Sequence, residues 1–352
     1  MTSQRWDLIV VGAGIAGLTA ATLARQSGKR VLVYEARERV GGRARTFEVP
    51  GGVIDMGATW FWSNEPLVAS LTAQLGLRTF EQHIAGDALF DANGTEIQRL
   101  TGNPIDVPAL RFVDGAQQLA RQLSNHLSPE SLRLEQSVTG VLVNDGGVEV
   151  ETKDGVSYSD QLIIAIPPAL AVENITFAPP LPAELRSAAD TMMVWMGQMV
   201  KAVAVYDEPF WRSEGLAGAA MSYAGSFREF HDHSGPEGTP PAIFGFAPAE
   251  RFADSDEREI AKVFRSELVR LFGARAKQTR EIHVVDWSRE SFTSPRRPSA
   301  LRSTASYGAR IFHTPLLGRV HWATTETATD FAGHLEGAIL AGAAAAKAVI
   351  AA

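Results

Sequence analysis

The sequence contains no cysteine. This absence excludes disulfide bonds, thiolate metal sites and cysteine nucleophiles. A chain without cysteine fits a reducing compartment, where structural disulfides are rare, so we expect a cytoplasmic protein.

Long basic and long apolar segments are also missing. The formal net charge is −7 and no Lys/Arg cluster is longer than a pair such as Arg296-Arg297, which excludes a basic surface for nucleic acid. The Ala-rich segment 335–352 is interrupted by Glu336 and Lys347. It is too short and too polar to span a bilayer, so we expect a buried helix and no membrane partner. Residues 1–7 lead directly into a strand-like run, and no secretory signal peptide is expected.

What remains is the composition of a globular protein with two domains. Hydrophobic residues make up 45% and charged residues 21% of the chain, which is typical of soluble globular proteins. A length of 352 residues exceeds one ordinary hydrophobic core and predicts about two domains.

The N-terminal segment has the pattern of a β-α-β unit. The apolar run Leu8 to Val11 predicts a buried parallel strand, and a second such run ends just before Glu35. Between them, a helical pattern begins with the glycines Gly12, Gly14 and Gly17 in G-x-G-x-x-G spacing. The first glycine permits the tight turn, the second lets the backbone approach a pyrophosphate, and the third lets the helix pack closely on the strand. The pattern predicts a dinucleotide-binding site.

Two features of this unit describe the expected ligand. The helix N-terminus after Gly14 offers unpaired N–H groups and a partial positive charge to phosphates. The carboxylate of Glu35 stands where it can accept hydrogen bonds from ribose hydroxyls, and it would repel a 2′-phosphate, which argues against NADP. The β-α-β unit by itself leaves both FAD and NAD open.

The residues that follow carry a more specific pattern. Residues 35–43, EARERVGGR, resemble the E-A-x-x-x-x-G-G-R segment of the flavin amine oxidase family, which includes monoamine, polyamine and L-amino-acid oxidases. Near the C-terminus, residues 323–328 and 333–338 resemble the family segments A-G-x-E-T-A and G-x-x-E-G-A, with Thr324 in place of the glycine. The resemblance covers nearly the whole chain and implies FAD as the cofactor.

The resemblance also implies where FAD is contacted. Arg37 would lie near the adenosine ribose, Val138 near the adenine, Arg43 on the phosphate oxygens, and Glu326 on the ribityl or pyrophosphate group. The full set of expected cofactor-binding residues is Gly12, Gly14, Gly17, Glu35, Arg37, Gly41, Gly42, Arg43, Ala58, Thr59, Val138, Trp287, Thr325, Glu326 and Leu335.

Four residues are expected to act in catalysis. By resemblance, Lys201 would hold a water over flavin N5, where a cation favours electron transfer to oxygen. Its apolar strand makes a buried lysine costly without a polar partner, and the alternative is a lysine that reaches solvent. Trp287 is similar to the family tryptophan behind the flavin. Arg297 and His334 occupy the places of the two tyrosines that flank the amine in monoamine oxidases.

These replacements bear on the cofactor link and on the substrate. Arg296 occupies the place of the flavin-linking cysteine, so FAD is expected to be non-covalent. An arginine near the flavin would attract a carboxylate and repel a protonated amine, unless Arg296 and Arg297 point into solvent. For His334, three roles stay open: proton carrier, substrate hydrogen-bond donor and helix-start residue.

The remaining candidates are aromatic and histidine side chains. Trp60, Trp62 and Phe246 are expected on cavity walls, and the alternative for each is an ordinary core position. His231 and His233 flank a single aspartate, which is a poor metal-binding pattern, and no metal is expected.

The expected fold class is α/β. A doubly wound Rossmann-type FAD-binding domain would be assembled from three chain segments, beside a smaller α+β substrate domain. The expected boundaries are 1–78, 111–190 and 290–352 for the first domain, and 79–110 and 191–289 for the second. The long helical insertion of the family is missing, so the cavity would be open or would be closed by a partner subunit in a homodimer.

The expected function is oxidation of a C–N bond in an amine or amino acid, with hydride transfer to flavin N5 and molecular oxygen as acceptor. One alternative is a renalase-like oxidase or dehydrogenase of a small heteroaromatic compound or nicotinamide, because the cavity would be open. Another is a non-catalytic flavin-binding subunit, because the aromatic pair is lost. Substrate identity, acceptor and oligomeric state do not follow from the sequence.

Overall fold

A computed structural model describes residues 5–296 and 303–352 of the chain. The α-helices are α1 (Ile15–Gln26), α2 (Pro66–Gln74), α3 (Gln117–Ser124), α4 (Pro168–Asn174), α5 (Ala183–Asp190), α6 (Phe210–Ser213), α7 (Glu257–Phe272) and α8 (Leu335–Ala351). The β-strands are β1 (Arg5–Val11), β2 (Val31–Tyr34), β3 (Thr46–Val49), β4 (Gly52–Asp55), β5 (Trp60–Phe61), β6 (Thr79–Glu81), β7 (Asp87–Asp91), β8 (Ile97–Leu100), β9 (Leu110–Phe112), β10 (Leu132–Arg133), β11 (Val138–Asn144), β12 (Gly147–Thr152), β13 (Gly155–Ile164), β14 (Thr176–Ala178), β15 (Met199–Val205), β16 (Leu216–Ser222), β17 (Glu229–Asp232), β18 (Ala242–Pro248), β19 (Glu281–Asp286) and β20 (Val320–Trp322).

The larger sheet confirms the predicted α/β fold class. Its strand order is β10-β2-β1-β13-β12-β11-β14, and β20 pairs with β13. The pairs of β1 with β2, β1 with β13 and β13 with β20 are parallel. Side chains of β1 alternate between two apolar clusters, with Leu8 and Val10 in one and Ile9 and Val11 in the other. The sheet is therefore buried on both faces, as the continuous apolar run predicts.

The last helix of the chain completes one face of this sheet. α8 packs against α1, where an added Cβ at Gly342 would lie 2.3 Å from the carbonyl oxygen of Ala16. Many α8 side chains are buried, which confirms the buried helix expected from the Ala-rich segment.

A second sheet has the order β19-β15-β18-β17-β16-β7-β8. A turn after Asp91 joins β7 to β8 in an antiparallel hairpin. The helix α7 begins with a capping box formed by Asp256 and Glu259. Its apolar side chains Phe264 and Leu268 pack in one cluster with strand residues of this sheet.

Strand β15 carries Lys201 on a defined face. Val200, Ala202 and Ala204 belong to the cluster beneath α7, whereas Val203 and Val205 belong to a different cluster on the opposite face. Because side chains alternate along a strand, Lys201 shares the face of Val203, toward Ile54 and Met56.

The strands divide between the two sheets in a way that supports two domains. Strands β1, β2, β10–β14 and β20 form the first sheet, and β7, β8 and β15–β19 form the second. A small sheet, β5-β9-β6, contains strands from both parts of the chain. We propose that the domain boundaries follow this division.

Candidate active site

A cavity of about 820 Å³ lies at the carboxyl ends of the parallel strands β1, β2, β13 and β20. This edge of a doubly wound sheet is where such folds bind ligands. Most of the expected cofactor residues line it: Gly12, Gly14, Glu35, Arg37, Gly41, Gly42, Arg43, Ala58, Thr59, Val138, Thr325 and Leu335. His334 lines it as well, whereas Gly17, Lys201, Trp287 and Glu326 lie outside the lining, and Arg297 falls outside the described residues.

Glycine is present at each of the three positions after β1 for a different structural reason. Gly12 has a φ of +106°, and a Cβ there would lie 2.8 Å from the carbonyl oxygen of Ala165. A Cβ on Gly17 would lie 2.0 Å from the carbonyl oxygen of Gly12, so this glycine allows α1 to approach the turn. A Cβ on Gly14 would meet no described atom within 4 Å, although the residue lines the cavity. The space beside Gly14 is therefore open and could be occupied by a ligand.

Glu35 and Arg37 lie together on the cavity wall. The carboxylate of Glu35 accepts hydrogen bonds from the backbone nitrogens of Ala13 (2.8 Å) and Arg37 (3.0 Å). The guanidinium of Arg37 donates to Thr293 Oγ1 (2.8 Å). Both side chains are fixed before a ligand binds, with a carboxylate available for ribose hydroxyls.

Glu326 lies behind Arg43 and not on the cavity surface. Its side chain is fully buried, lies outside the cavity lining, and accepts two hydrogen bonds from Arg43, at 2.5 and 3.1 Å. Burial by itself would lower the pKa of Arg43, but the ion pair with Glu326 outweighs it and raises that pKa. Glu326 therefore keeps a cation at the cavity through Arg43, whereas a direct contact with the cofactor was expected.

Lys201 is completely buried just behind the cavity wall, which excludes the solvent-exposed alternative. Its Nζ donates to the carbonyl oxygen of Gly57 (3.1 Å) and to Thr59 Oγ1 (2.6 Å), and it lies 4.3 Å from the ring centroid of Phe244. Gly57 and Thr59 line the cavity. The polar partners that an apolar strand lysine requires are thus supplied by the segment beside the predicted flavin.

The protonation of Lys201 is set by its burial and, to a smaller extent, by two charged neighbours. Burial lowers the pKa of Lys201 to about 7, the carboxylate of Asp55 opposes this shift, and Arg111 adds to it. Asp55 is itself buried and accepts from Thr46 Oγ1 (2.6 Å) and the backbone nitrogen of Ala116 (2.9 Å). Burial raises the pKa of Asp55. Sequence reasoning missed Asp55, although the nearby Ala58 and Thr59 were expected to contact the cofactor.

Trp287 lies in the core behind this region. It is fully buried, donates from Nε1 to the carbonyl oxygen of Met56 (2.9 Å), and packs with Val203 and Val285. It was expected to act in catalysis and to contact the cofactor, but it does not line the cavity. Its apolar surroundings make it a support for the strands that carry Lys201 and the Gly57 segment.

The other end of the cavity is aromatic. Trp60, Trp62 and Phe246 line it, as expected. His334 stands at the N-cap of α8 and its Nδ1 lies 2.6 Å from Oε1 of Glu65. Glu65 was missed in the sequence, because Glu65-Pro66 signals the start of a helix but gives no hint of a partner 269 positions away.

The histidines of the 231–233 segment have structural partners. His231 Nδ1 pairs with Asp106, and His233 Nε2 accepts from the backbone nitrogen of Asp55 at 3.0 Å. Across residues 5–296 and 303–352, no group of three or more His, Asp or Glu side chains could hold a metal ion.

The cavity fits an extended dinucleotide. Open space at Gly14, the N-terminus of α1 and the Glu35 carboxylate suit a pyrophosphate and a ribose. Beside Val138, the buried Oε1 of Gln136 lines the cavity and has no hydrogen-bond partner among the described residues, so an amino group of a base could donate to it.

Comparison with protein families decides the nature of this dinucleotide. The sequence model of the family described as flavin containing amine oxidoreductase matches residues 103–350. The chain belongs to this family. A second model, described as an NAD(P)-binding Rossmann-like domain, matches residues 10–75. The protein is therefore an oxidoreductase of the flavin amine oxidase family, and its cofactor is FAD.

Curated relatives resemble the chain over most of its length. It is 26% identical to flavin-containing amine oxidase B of Bos taurus, with 99% of this chain and 86% of the relative covered. It is 34% identical to L-amino acid dehydrogenase of a Synechocystis strain, with 67% of this chain and 50% of the relative covered. The bovine alignment runs over 470 positions, more than the 352 residues of the chain, so that relative contains segments that are absent here.

Solved structures share the fold. A putrescine oxidase bound to putrescine has a TM-score of 0.88 at 23% identity, with 99% of this chain and 100% of that chain covered. Cyclohexylamine oxidase from Brevibacterium oxydans has a TM-score of 0.87 at 21% identity, with 99% of each chain covered. Within residues 5–296 and 303–352, no helix has the length and hydrophobicity needed to cross a membrane.

Proposed function

We propose that this protein oxidises the C–N bond of a primary monoamine, with molecular oxygen as the electron acceptor. The main support is Lys201, a buried lysine held by Gly57 and Thr59 directly behind the aromatic end of the FAD cavity. Bound FAD would supply the two-electron acceptor, which takes a hydride equivalent from the carbon next to nitrogen and later passes two electrons to oxygen, yielding imine and hydrogen peroxide.

The protein's own groups divide the remaining work. The N-terminus of α1, Glu35 and the Arg43–Glu326 pair would hold the cofactor, and Trp60, Trp62 and Phe246 would enclose the apolar part of the substrate. The ammonium of Lys201 would stabilise negative charge that develops during electron transfer to oxygen.

The charge of the cavity favours a monoamine over a diamine. Among the described residues that line the cavity, the one with a carboxylate is Glu35. This carboxylate already accepts hydrogen bonds from two backbone N–H groups and lies beside Arg37. A second ammonium at the aromatic end would meet tryptophan and phenylalanine side chains and the imidazole of His334, and no carboxylate lines this part of the described wall. Desolvating that second charge would weaken binding.

An amino acid is the second candidate. Arg296 lines the cavity and would attract a carboxylate, and its backbone nitrogen binds Glu173 of α4 at 3.1 Å. Arg297, the other arginine in this hypothesis, lies outside the described residues.

The test is the visible spectrum of the purified protein without oxygen. We expect an aromatic or alicyclic monoamine to bleach the flavin band, and putrescine to bleach it far more slowly. Bleaching by L-amino acids alone would replace the monoamine by the second candidate. Bleaching by NADH alone would support a renalase-like activity, and a yellow protein that no donor reduces would support a non-catalytic flavin-binding subunit.

A further inference from the structure

Glu65 and His334 form a closely coupled pair at the aromatic end of the cavity. The Glu65 side chain is 1% exposed, and its Oε1 lies 2.6 Å from Nδ1 of His334. Its Oε2 accepts a hydrogen bond from the backbone nitrogen of Trp62 at 2.9 Å. The ring of Trp62 lies 5.4 Å from the imidazole, measured between centroids. The carboxylate is thus anchored by the segment that also provides the aromatic wall.

This contact fixes the tautomer of the neutral imidazole. An ionised carboxylate can only accept hydrogen bonds, so Nδ1 of His334 must carry the hydrogen. The Nε2 atom then has a free lone pair. Within the described chain Nε2 has no hydrogen-bond partner, and the His334 side chain is 43% exposed and lines the cavity. The pair therefore presents a proton acceptor to whatever occupies this end of the cavity.

Other charged groups near this end are held by different partners. Glu336 accepts from the backbone nitrogens of Leu67 and Val68, at 3.0 and 2.8 Å. Glu326 is paired with Arg43, and Lys201 with Gly57 and Thr59. Asp330 is exposed and bonds Thr329, and Arg296 lies beside α4. Among the carboxylates of the described residues, the one that contacts the imidazole is Glu65.

We propose that His334, positioned by Glu65, removes a proton from the substrate ammonium before its C–H bond is oxidised. The inference rests on the proposed function. An ammonium has no lone pair with which to form the C=N bond, so one N–H bond must break first. Its electron pair stays on the amine nitrogen, the proton passes to Nε2, and the imidazolium charge is balanced by the Glu65 carboxylate. Glu65 is a positioning residue.

The variant Glu65→Gln is the sharpest test. Its amide oxygen can still accept from Trp62, but its NH₂ group would donate to Nδ1, which moves the imidazole hydrogen to Nε2 and blocks proton acceptance. With an ordinary monoamine, we expect kcat/KM of Glu65→Gln and of His334→Gln to fall about a hundredfold, and the rise of kcat/KM with pH to change shape.

A second substrate separates proton transfer from simple positioning. A β,β,β-trifluorinated amine is largely neutral at neutral assay pH and needs no base. We therefore expect both variants to retain most of the wild-type kcat/KM with this amine. An equal loss with both amines would overturn the proposal, because a purely structural role affects both alike.

A spectroscopic readout tests the pair without turnover. In protein with ¹⁵N-labelled histidine, His334 is assigned by the loss of its signals in His334→Gln. At alkaline pH we expect the Nδ1–H tautomer in the wild type and the Nε2–H tautomer in Glu65→Gln. A wild-type Nε2–H tautomer would overturn the proposal. If no amine reduces the wild-type flavin, the proposed function fails, while the tautomer still decides whether the dyad exists.

Glu336→Gln is the matched control. It removes a buried carboxylate from the first turn of α8, next to His334, without touching the imidazole. We expect its thermal stability to fall because two backbone N–H groups lose a charged acceptor, while its pH profile and the tautomer of His334 stay unchanged. A matching change in the control would assign the effect to general loss of structure and would count against the proposal.

Discussion

At the scale of single residues, Lys201 shows how a charge can be kept in an apolar strand. Its neighbours Val200, Ala202 and Val203 are fully buried, and so is the lysine itself. Two oxygen acceptors and the faces of Phe244 and Phe246 replace the water that the ammonium loses. Burial still wins over these contacts, because the pKa of Lys201 is lowered to about 7.

This lowered pKa gives oxygen reactivity a pH dependence with a definite sign. The charged form is present below the pKa of Lys201 and is lost as pH rises through it, at about 7 or above, since negative charge on a bound cofactor can only raise that pKa. We expect the rate of flavin reoxidation by oxygen, followed by stopped-flow absorbance, to fall over this range. In Lys201→Met it should be about tenfold to a hundredfold slower at neutral pH and independent of pH.

The control for this experiment is Lys262→Met, because Lys262 is exposed on α7. It should retain the wild-type rate and pH profile. Reoxidation in Lys201→Met that matches the wild type, with a normal flavin content, would remove Lys201 from the reaction with oxygen.

Contacts between residues that are far apart in the sequence could not be predicted from the sequence. The apolar strand around Lys201 predicts that the lysine needs a partner, but Gly57 and Thr59 lie 144 and 142 positions away. The same holds for Glu326, whose partner Arg43 is 283 positions distant, and for Glu65 with His334. A residue pattern reports local geometry, whereas ion pairs depend on how the sheets bring distant segments together.

At the scale of secondary-structure elements, the β-α-β unit is the best-predicted part of the protein. Its glycines are needed for short-range reasons: the positive φ of Gly12 and the contact of Gly17 with the Gly12 carbonyl arise within a few residues. Constraints of this kind are visible in sequence because the interacting atoms are close along the chain. Trp287, by contrast, follows β19, and its family register gave no information about which side of this segment faces the cavity.

The pair Gly14→Ala and Gly17→Ala separates cofactor binding from packing. Gly14 has an ordinary φ of −75° and its Cβ would meet no described atom within 4 Å, so Gly14→Ala should leave the melting temperature of the apoprotein unchanged. Its new methyl group would occupy cofactor space, and we expect FAD affinity to fall more than about tenfold, a loss of at least about 1.4 kcal/mol. Fluorescence titration of apoprotein with FAD measures this.

Gly17→Ala is the contrasting variant. Its Cβ would lie 2.0 Å from a backbone oxygen, so α1 must shift, and both the apoprotein melting temperature and FAD affinity should decrease. If Gly14→Ala binds FAD with wild-type affinity, the space beside Gly14 is not used by the cofactor.

At the scale of the whole molecule, the FAD cavity depends on segments far apart in the chain. Its lining combines residues near the N-terminus, such as Gly14, the middle of the chain, such as Val138, and the start of α8, such as Leu335. The three-segment assembly was foreseen from the family resemblance. The order of the strands was not, because hydrophobic periodicity marks a strand as buried without naming its neighbours.

We expect FAD to bind without a covalent bond and, because its cavity is formed by three chain segments, to stabilise the folded protein. The chain has no cysteine to form a thioether with the flavin, so acid precipitation should leave the yellow colour in the supernatant. Free FAD at a hundred times its dissociation constant should stabilise the folded protein by about 2.7 kcal/mol, seen as a rise of several degrees in melting temperature. AMP contacts only part of the cavity and should give a smaller rise at matched concentration. A coloured protein pellet would show a covalent link through another side chain. A melting temperature that is unchanged by added FAD would mean that the cofactor does not join the three segments.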